Sequence, residues 1–157
     1  MSNDTYLDAL KMLARRELSE FQVRQRLARN GHDLSAIDVA VARLKDERSL
    51  DDERVASAIA RTQTGVRGRG KRRVLQEIAA AGIAASIASR AVDEVFQELD
   101  SDTLLSASIA KRLRGRERIA DDREFQRLFR YLTAQGFDTD RILAHLTRLR
   151  SQGPGIR

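Results

Sequence analysis

The chain has 157 residues, with 29 Lys and Arg against 23 Asp and Glu, a formal net charge of +6, no Cys and a single Pro. The absence of Cys excludes disulfides, thiolate nucleophiles and Cys-ligated zinc, and one Pro with 33% charged residues argues against a loop-rich all-β fold and for helices. No apolar run approaches the roughly 20 residues that a membrane-spanning helix needs. Residues 1–20 hold no apolar stretch of signal-peptide type, so the expected setting is the cytoplasm, with no membrane partner.

Hydrophobic residues follow a helical period throughout. Leu7, Leu10, Leu13 and Ala14 predict a first helix. Ser19 with Gln22 is a capping-box signature, and the helix it opens carries Leu27 and ends at Gly31, a residue suited to a left-handed C′ position. Ser35 with Asp38 is a shorter-armed version ahead of Ile37, Val41 and Leu44. Asp51, Asp52 and Glu53 are first-turn acids for a fourth helix bearing Val55 and Ile59. A glycine-arginine segment, Gly65 to Lys71, then leads into a helix with Ile78 that ends at Gly82. Ala88, Val92 and Val95 line the helix after it, and Leu105 with Ile109 marks a seventh. Asp121 with Glu124 opens an eighth, which carries Leu132 and ends at Gly136, and Ile142, Leu146 and Leu149 form the stripe of a ninth.

Gly31, Gly82 and Gly136 lie 51 and 54 residues apart, with an aliphatic residue four positions before each and apolar residues six, ten and thirteen after. That is one pattern written three times. It divides the chain into three-helix repeats at 4–48, 51–99 and 101–151, followed by a tail at 152–157. A unit of this size buries little apolar surface alone, so neighbours must stack. The predicted fold is therefore all-α, three tandem three-helix repeats forming an elongated curved rod; the competing reading is a nine-helix globule with coincidental glycine spacing.

Gly65, Gly70 and Lys71 match the first part of a phosphate-binding G-x-x-x-x-G-K loop, but Arg72 stands where a Mg²⁺-binding Ser or Thr is required and a helix precedes the loop instead of a strand. Nucleotide hydrolysis is rejected. The segment reads instead as a loop whose backbone N–H groups and cations suit an anion. No acid occurs between Arg54 and Gln76, and a second acid-free window runs from Thr103 to Arg116. The candidate anion- and partner-binding residues are thus Arg67, Arg69, Lys71, Arg72 and Arg73, with Lys111, Arg112, Arg114 and Arg116. A solvated loop is the plainer alternative. His32 and His145 fall in different repeats without ligand-spaced carboxylates, and the Ser residues fall at caps and not beside a His. No catalytic residue, metal site or cofactor is assigned, and the chain is not expected to be an enzyme.

The ordered set Leu50-Asp51-Asp52-Glu53-Arg54-Val55-Ala56, Gly68-Arg69-Gly70-Lys71-Arg72-Arg73, Glu77-Ile78 before Gly82-Ile83, and Arg127-Leu128-Phe129-Arg130-Tyr131-Leu132 before Gly136-Phe137 resembles the RecX family of RecA recombinase regulators, over about residues 5–150. The chain is separately expected to act as a monomer. The resemblance implies a non-enzymatic modulator that lies in the groove of the RecA–DNA filament. There it would limit filament extension, strand exchange, ATP hydrolysis and coprotease activity in recombination, DNA repair and the SOS response. It leaves open contact with the DNA backbone inside the filament. The alternative is a helical-repeat protein acting on nucleic acid alone; residues 54–76 contain no aromatic side chain on which bases could stack, which favours an electrostatic contact secondary to protein binding.

Overall fold

The computed structural model describes residues 2–151, so the tail assigned to 152–157 lies outside the described residues. Among the described residues there are nine α-helices and no strand. They are α1 (Ser2–Arg15), α2 (Glu20–Arg29), α3 (Leu34–Asp46), α4 (Asp52–Arg61), α5 (Lys71–Ala80), α6 (Ala85–Glu98), α7 (Ser101–Leu113), α8 (Asp122–Ala134) and α9 (Thr139–Ser151), with a π-helical turn at Thr62–Val66 after α4. None of these helices is long and apolar enough to cross a membrane. Contacts group the chain into two compact units. The first comprises Met1–Ile59 with Glu77–Ala91, and the second Ala60–Gln76 with Val92–Arg157, so the predicted repeat at 51–99 contributes to both.

In the first unit α1 and α2 pack on α3. Ala9, Leu18, Val23, Leu27, Ile37, Val41, Leu44 and Leu50 form the core, flanked by Tyr6, Leu10, Met12 and Leu13. The stripe of α1 is rotated from the one read in the sequence. Leu7 is 45% exposed, and Thr5 and Ala9 face inward, because small side chains let α1 lie close to its neighbours. Ser19 forms the full capping box with Gln22. Its hydroxyl, fully buried, also donates to the carbonyl of Ala81 at 2.5 Å. The start of α2 is thereby fixed against the Gly82 turn, where φ is +76° and Phe21 packs over the glycine. At the start of α4, Asp51 accepts the N–H groups of Glu53 and Arg54, and Asp52 accepts that of Glu20. Asp52 and Glu53 stand in the first turn of α4, as read, but Asp51 is the residue that caps it, while Asp52 serves the start of α2 and Glu53 pairs with Arg90. The α3 cap differs: Asp33 holds the N-cap position without a side-chain hydrogen bond, because the helix starts at Leu34 and places Ser35 inside its first turn.

His32 closes the turn after α2. Its Nε2 meets Asp8 Oδ2 at 2.8 Å and its Nδ1 meets Thr5 Oγ1 at 3.0 Å, while Asn30 also donates to Asp8. The hydrogen bond from His32 holds the Asp8 carboxyl below the usual carboxylate range.

In the second unit α8 packs on both α7 and α9. The core is Leu105, Ile109, Leu113, Ile119, Leu128, Leu132, Phe137, Ile142 and Leu146, with Phe125, Phe129 and Tyr131 against it. Asp100 caps α7, and Arg114 ends it in the left-handed conformation with φ +51°. Asp121 accepts the Glu124 N–H at 2.8 Å, but the Glu124 carboxylate turns to the Ala120 N–H, so this cap is not a reciprocal box. Of the repeated apolar positions, Leu27, Ile78 and Leu132 before the glycines and Val41, Val92 and Leu146 ten residues after them are buried, whereas Leu149, thirteen after Gly136, is only partly buried.

Candidate polyanion and partner surface

Both basic segments belong to the second unit. The first begins where α4 runs on into the π-helical turn. Thr64 is buried there, and its hydroxyl donates to the Ala60 carbonyl at 2.8 Å. The N–H groups of Arg67, Gly68 and Arg69 then fold back onto the carbonyls of Thr62, Thr64 and Gln63. Gly70 N–H donates to Gln135 O at 2.8 Å and Arg72 N–H to Gly136 O at 3.2 Å. This docking requires two glycines. A Cβ on Gly70 would lie 2.6 Å from the Gly136 carbonyl, and one on Gly136, where φ is +96°, would lie 2.3 Å from Arg73 N. The sequence reading expected these backbone N–H groups to cradle an anion. Those of residues 67–70 and of Arg72 are instead used by carbonyls of the protein, so anion attraction here rests on side chains.

Those side chains are unequal. Arg67 is exposed and makes no ion pair among the described residues. Arg69 donates to Gln63 Oε1 at 2.8 Å, and Lys71 pairs with Asp93 at 2.9 Å. Arg72 donates to the Thr133 carbonyl at 3.1 Å, near the end of α8, and half-buried Arg73 lies against Gly136. Lys71 and Arg72 also edge a cleft of about 610 Å³ with Arg141, over a floor that includes Leu75, Phe96 and Phe137.

The second segment also bears on α8. The Arg112 guanidinium stacks 3.5 Å over the Tyr131 ring. Arg116 forms a two-pronged pair with Glu124, whose side chain is 12% exposed. That hydrogen bond, more than the one from Ala120 N–H, holds the Glu124 carboxyl below the usual range. Lys111 and Arg114 are exposed. Arg72, Arg112 and Arg116 therefore touch α8 at Thr133, Tyr131 and Glu124, a span of about 14 Å at 1.5 Å per residue. Arg67 and Arg114 are exposed and make no ion pair with α8 among the described residues. The sequence reading missed three further cations on the helix itself, Arg123, Arg127 and Arg130, all exposed. Their spacing of four and three residues was the signal that could have found them.

One hydroxyl–imidazole–carboxylate array also escaped the sequence. His145 Nδ1 lies 3.5 Å from Ser106 Oγ, and its Nε2 lies 3.4 Å from Asp102 Oδ1, so a Ser does stand beside a His. Both distances are long. Ser106 sits mid-helix one turn from Asp102, where the α7 ladder takes up the backbone N–H groups that an oxyanion would need. The array acts as a clasp between α7 and α9. Among the described residues, no group of three or more His, Asp or Glu is placed to hold a metal ion.

Fold and surface define the class: an all-α protein built from short helices in threes, with a guanidinium-rich face along one of them. Two family models match the chain, one describing the first three-helix domain of RecX over residues 6–44 and one the second over residues 51–92. The Regulatory protein RecX of Halorhodospira halophila is 34% identical over 137 residues, covering 87% of this chain and 82% of that protein. That of Syntrophotalea carbinolica is 34% identical over 136 residues, covering 85% and 88%. The crystal structure of RecX from Lactobacillus salivarius has the same fold, with a TM-score of 0.77 at 19% identity over 94% of this chain and 96% of that one. The chain belongs to the RecX family.

Proposed function

We propose that this chain regulates the RecA recombinase and catalyses no reaction itself. It binds the RecA–DNA filament as a monomer in the cytoplasm and limits filament extension, with strand exchange, ATP hydrolysis and coprotease activity limited in consequence. The division into repeats at 4–48, 51–99 and 101–151 is part of this reading and draws support from the family models matched at 6–44 and 51–92. Several modest contacts presented by successive repeats add through effective concentration, so no repeat needs to bind tightly alone.

The observation that carries the proposal is the meeting of two basic segments, far apart in sequence, on α8. Arg67, Arg69, Lys71, Arg72 and Arg73, with Lys111, Arg112, Arg114 and Arg116, are the proposed contacts to acidic protein surface or to the DNA backbone within the filament. Their guanidinium forks suit carboxylates and phosphates alike. Co-sedimentation with preformed RecA–single-stranded DNA filaments tests this. The full chain should pellet with filaments, and Arg67→Gln with Lys111→Gln should weaken retention without loss of helicity, since neither residue forms an ion pair among the described residues. A chain that stays in the supernatant at every filament concentration contradicts the reading.

A further inference from the structure

The eighth helix carries more charge on its outer face than the protein uses. Its core side is Phe125, Leu128, Phe129 and Leu132. Arg123, Arg127 and Arg130 lie on the opposite side, within about 60° of one another, and rise in steps of about 6 and 4.5 Å along the axis. All three are exposed and make no ion pair among the described residues. The nearby acids are mostly engaged elsewhere: Asp121 caps the helix, Asp122 pairs with Arg150, and Glu124 is gripped by Arg116, with only a weaker, longer-range attraction to Arg127. Arg112, stacked on Tyr131, flanks the stripe.

We propose that this face of α8 binds the sugar–phosphate backbone of nucleic acid directly, with Arg123, Arg127 and Arg130 as the phosphate contacts. Three features favour a nucleic-acid strand over an acidic protein. The cations form a row about 10 Å long, suited to a regular line of phosphates, whereas a protein surface offers scattered carboxylates. The row includes no large apolar side chain of the kind that anchors the core of a protein interface. Each guanidinium is a fork that can hold two phosphate oxygens. Nothing in the row reads base edges, so binding is independent of sequence and dominated by released counterions. The inference does not depend on the recombinase and is tested without it.

The assay is fluorescence anisotropy of labelled oligonucleotides, one single-stranded and one duplex, titrated with the full chain over a salt series. Wild type should bind both with affinity falling steeply as salt rises. Each lost phosphate contact removes about 0.9 from the log–log slope on duplex and about 0.7 on a single strand. Replacing Arg123, Arg127 and Arg130 together by Gln should lower the slope by about 2 to 3 and weaken binding about a hundredfold at about 0.1 M salt. The control replaces Arg24, Arg43 and Arg90, which pair with Asp38, Glu47 and Glu53 in the first unit; it removes the same charge and should leave most of the binding intact. Circular dichroism confirms that both variants fold. Equal losses in the two variants, an unchanged slope in the α8 variant, no binding by wild type, or poly-glutamate competing as well as DNA would each overturn the proposal. Filament co-sedimentation is read separately, so a failure here is distinguishable from a failure of the recombinase reading.

Discussion

Replacing Gly136 by Ala is the sharpest test of how the basic loop is held. At φ +96° any L-residue is strained, a cost of roughly 1–2 kcal/mol. The new methyl would also sit 2.3 Å from Arg73 N and 2.5 Å from Arg73 Cβ, and a helix backbone cannot swing aside as a side-chain tip can. Overpacking of this kind costs roughly 1–3 kcal/mol. Pushing the strands of chain apart stretches the hydrogen bonds from Gly70 N–H to Gln135 O and from Arg72 N–H to Gly136 O, worth about 1 kcal/mol each. Together these come to about 4–7 kcal/mol. Gly31 provides the control, because it has a similar φ of +88° but nothing within 4 Å of an added Cβ, so Gly31→Ala should cost only the backbone strain of roughly 1–2 kcal/mol. Urea denaturation followed by far-ultraviolet circular dichroism measures both. Equal destabilisation by the two substitutions would refute the backbone-on-backbone docking of Gly70 and Gly136.

Gly82→Ala should fall between these two, since the obstacle is the side chain of Phe21, which is 51% exposed: its ring can turn away, although its Cβ at 2.5 Å cannot, so adding Phe21→Ala should recover only part of the loss in the same denaturation assay. Ser19→Ala removes both the α2 cap and the hydroxyl that satisfies Ala81 O, and should lower stability by roughly 1–3 kcal/mol in thermal melts. The Glu124 carboxyl is depressed in the folded state, so its contribution is complete above the unfolded carboxylate pKa of about 4.3 and is lost as pH falls through the lower folded value. Melting temperature measured from about pH 6 down to about pH 3 should therefore fall less steeply in Glu124→Gln than in wild type, from a lower starting point.

The helical class, the glycine turns and most of the core were legible because they depend on local chemistry. Gly31, Gly82 and Gly136 all occupy positive φ, and the apolar residues at fixed offsets from them are buried except for half-buried Leu149. The first helix was misread for a physical reason: Leu7 continues the period of Leu10 and Leu13, but close packing selects the small Thr5 and Ala9 as the inward face. The role of Gly70 was also invisible. Its glycine serves an approach to a turn at Gly136, many residues away, and no local spacing announces that. The stripe on α8 was hidden by charge counting along the chain, because Asp121, Asp122 and Glu124 lie among the arginines in sequence. Only the fold removes those acids from the reckoning, by capping and by pairing them with Arg150 and Arg116.

The most direct measurement of the central claim is the DNA-dependent ATPase of the RecA recombinase, followed with and without the full chain over a series of salt concentrations. Suppression is expected at low salt and should fade as salt screens the guanidinium contacts. No suppression at any salt, or suppression indifferent to salt, would contradict it.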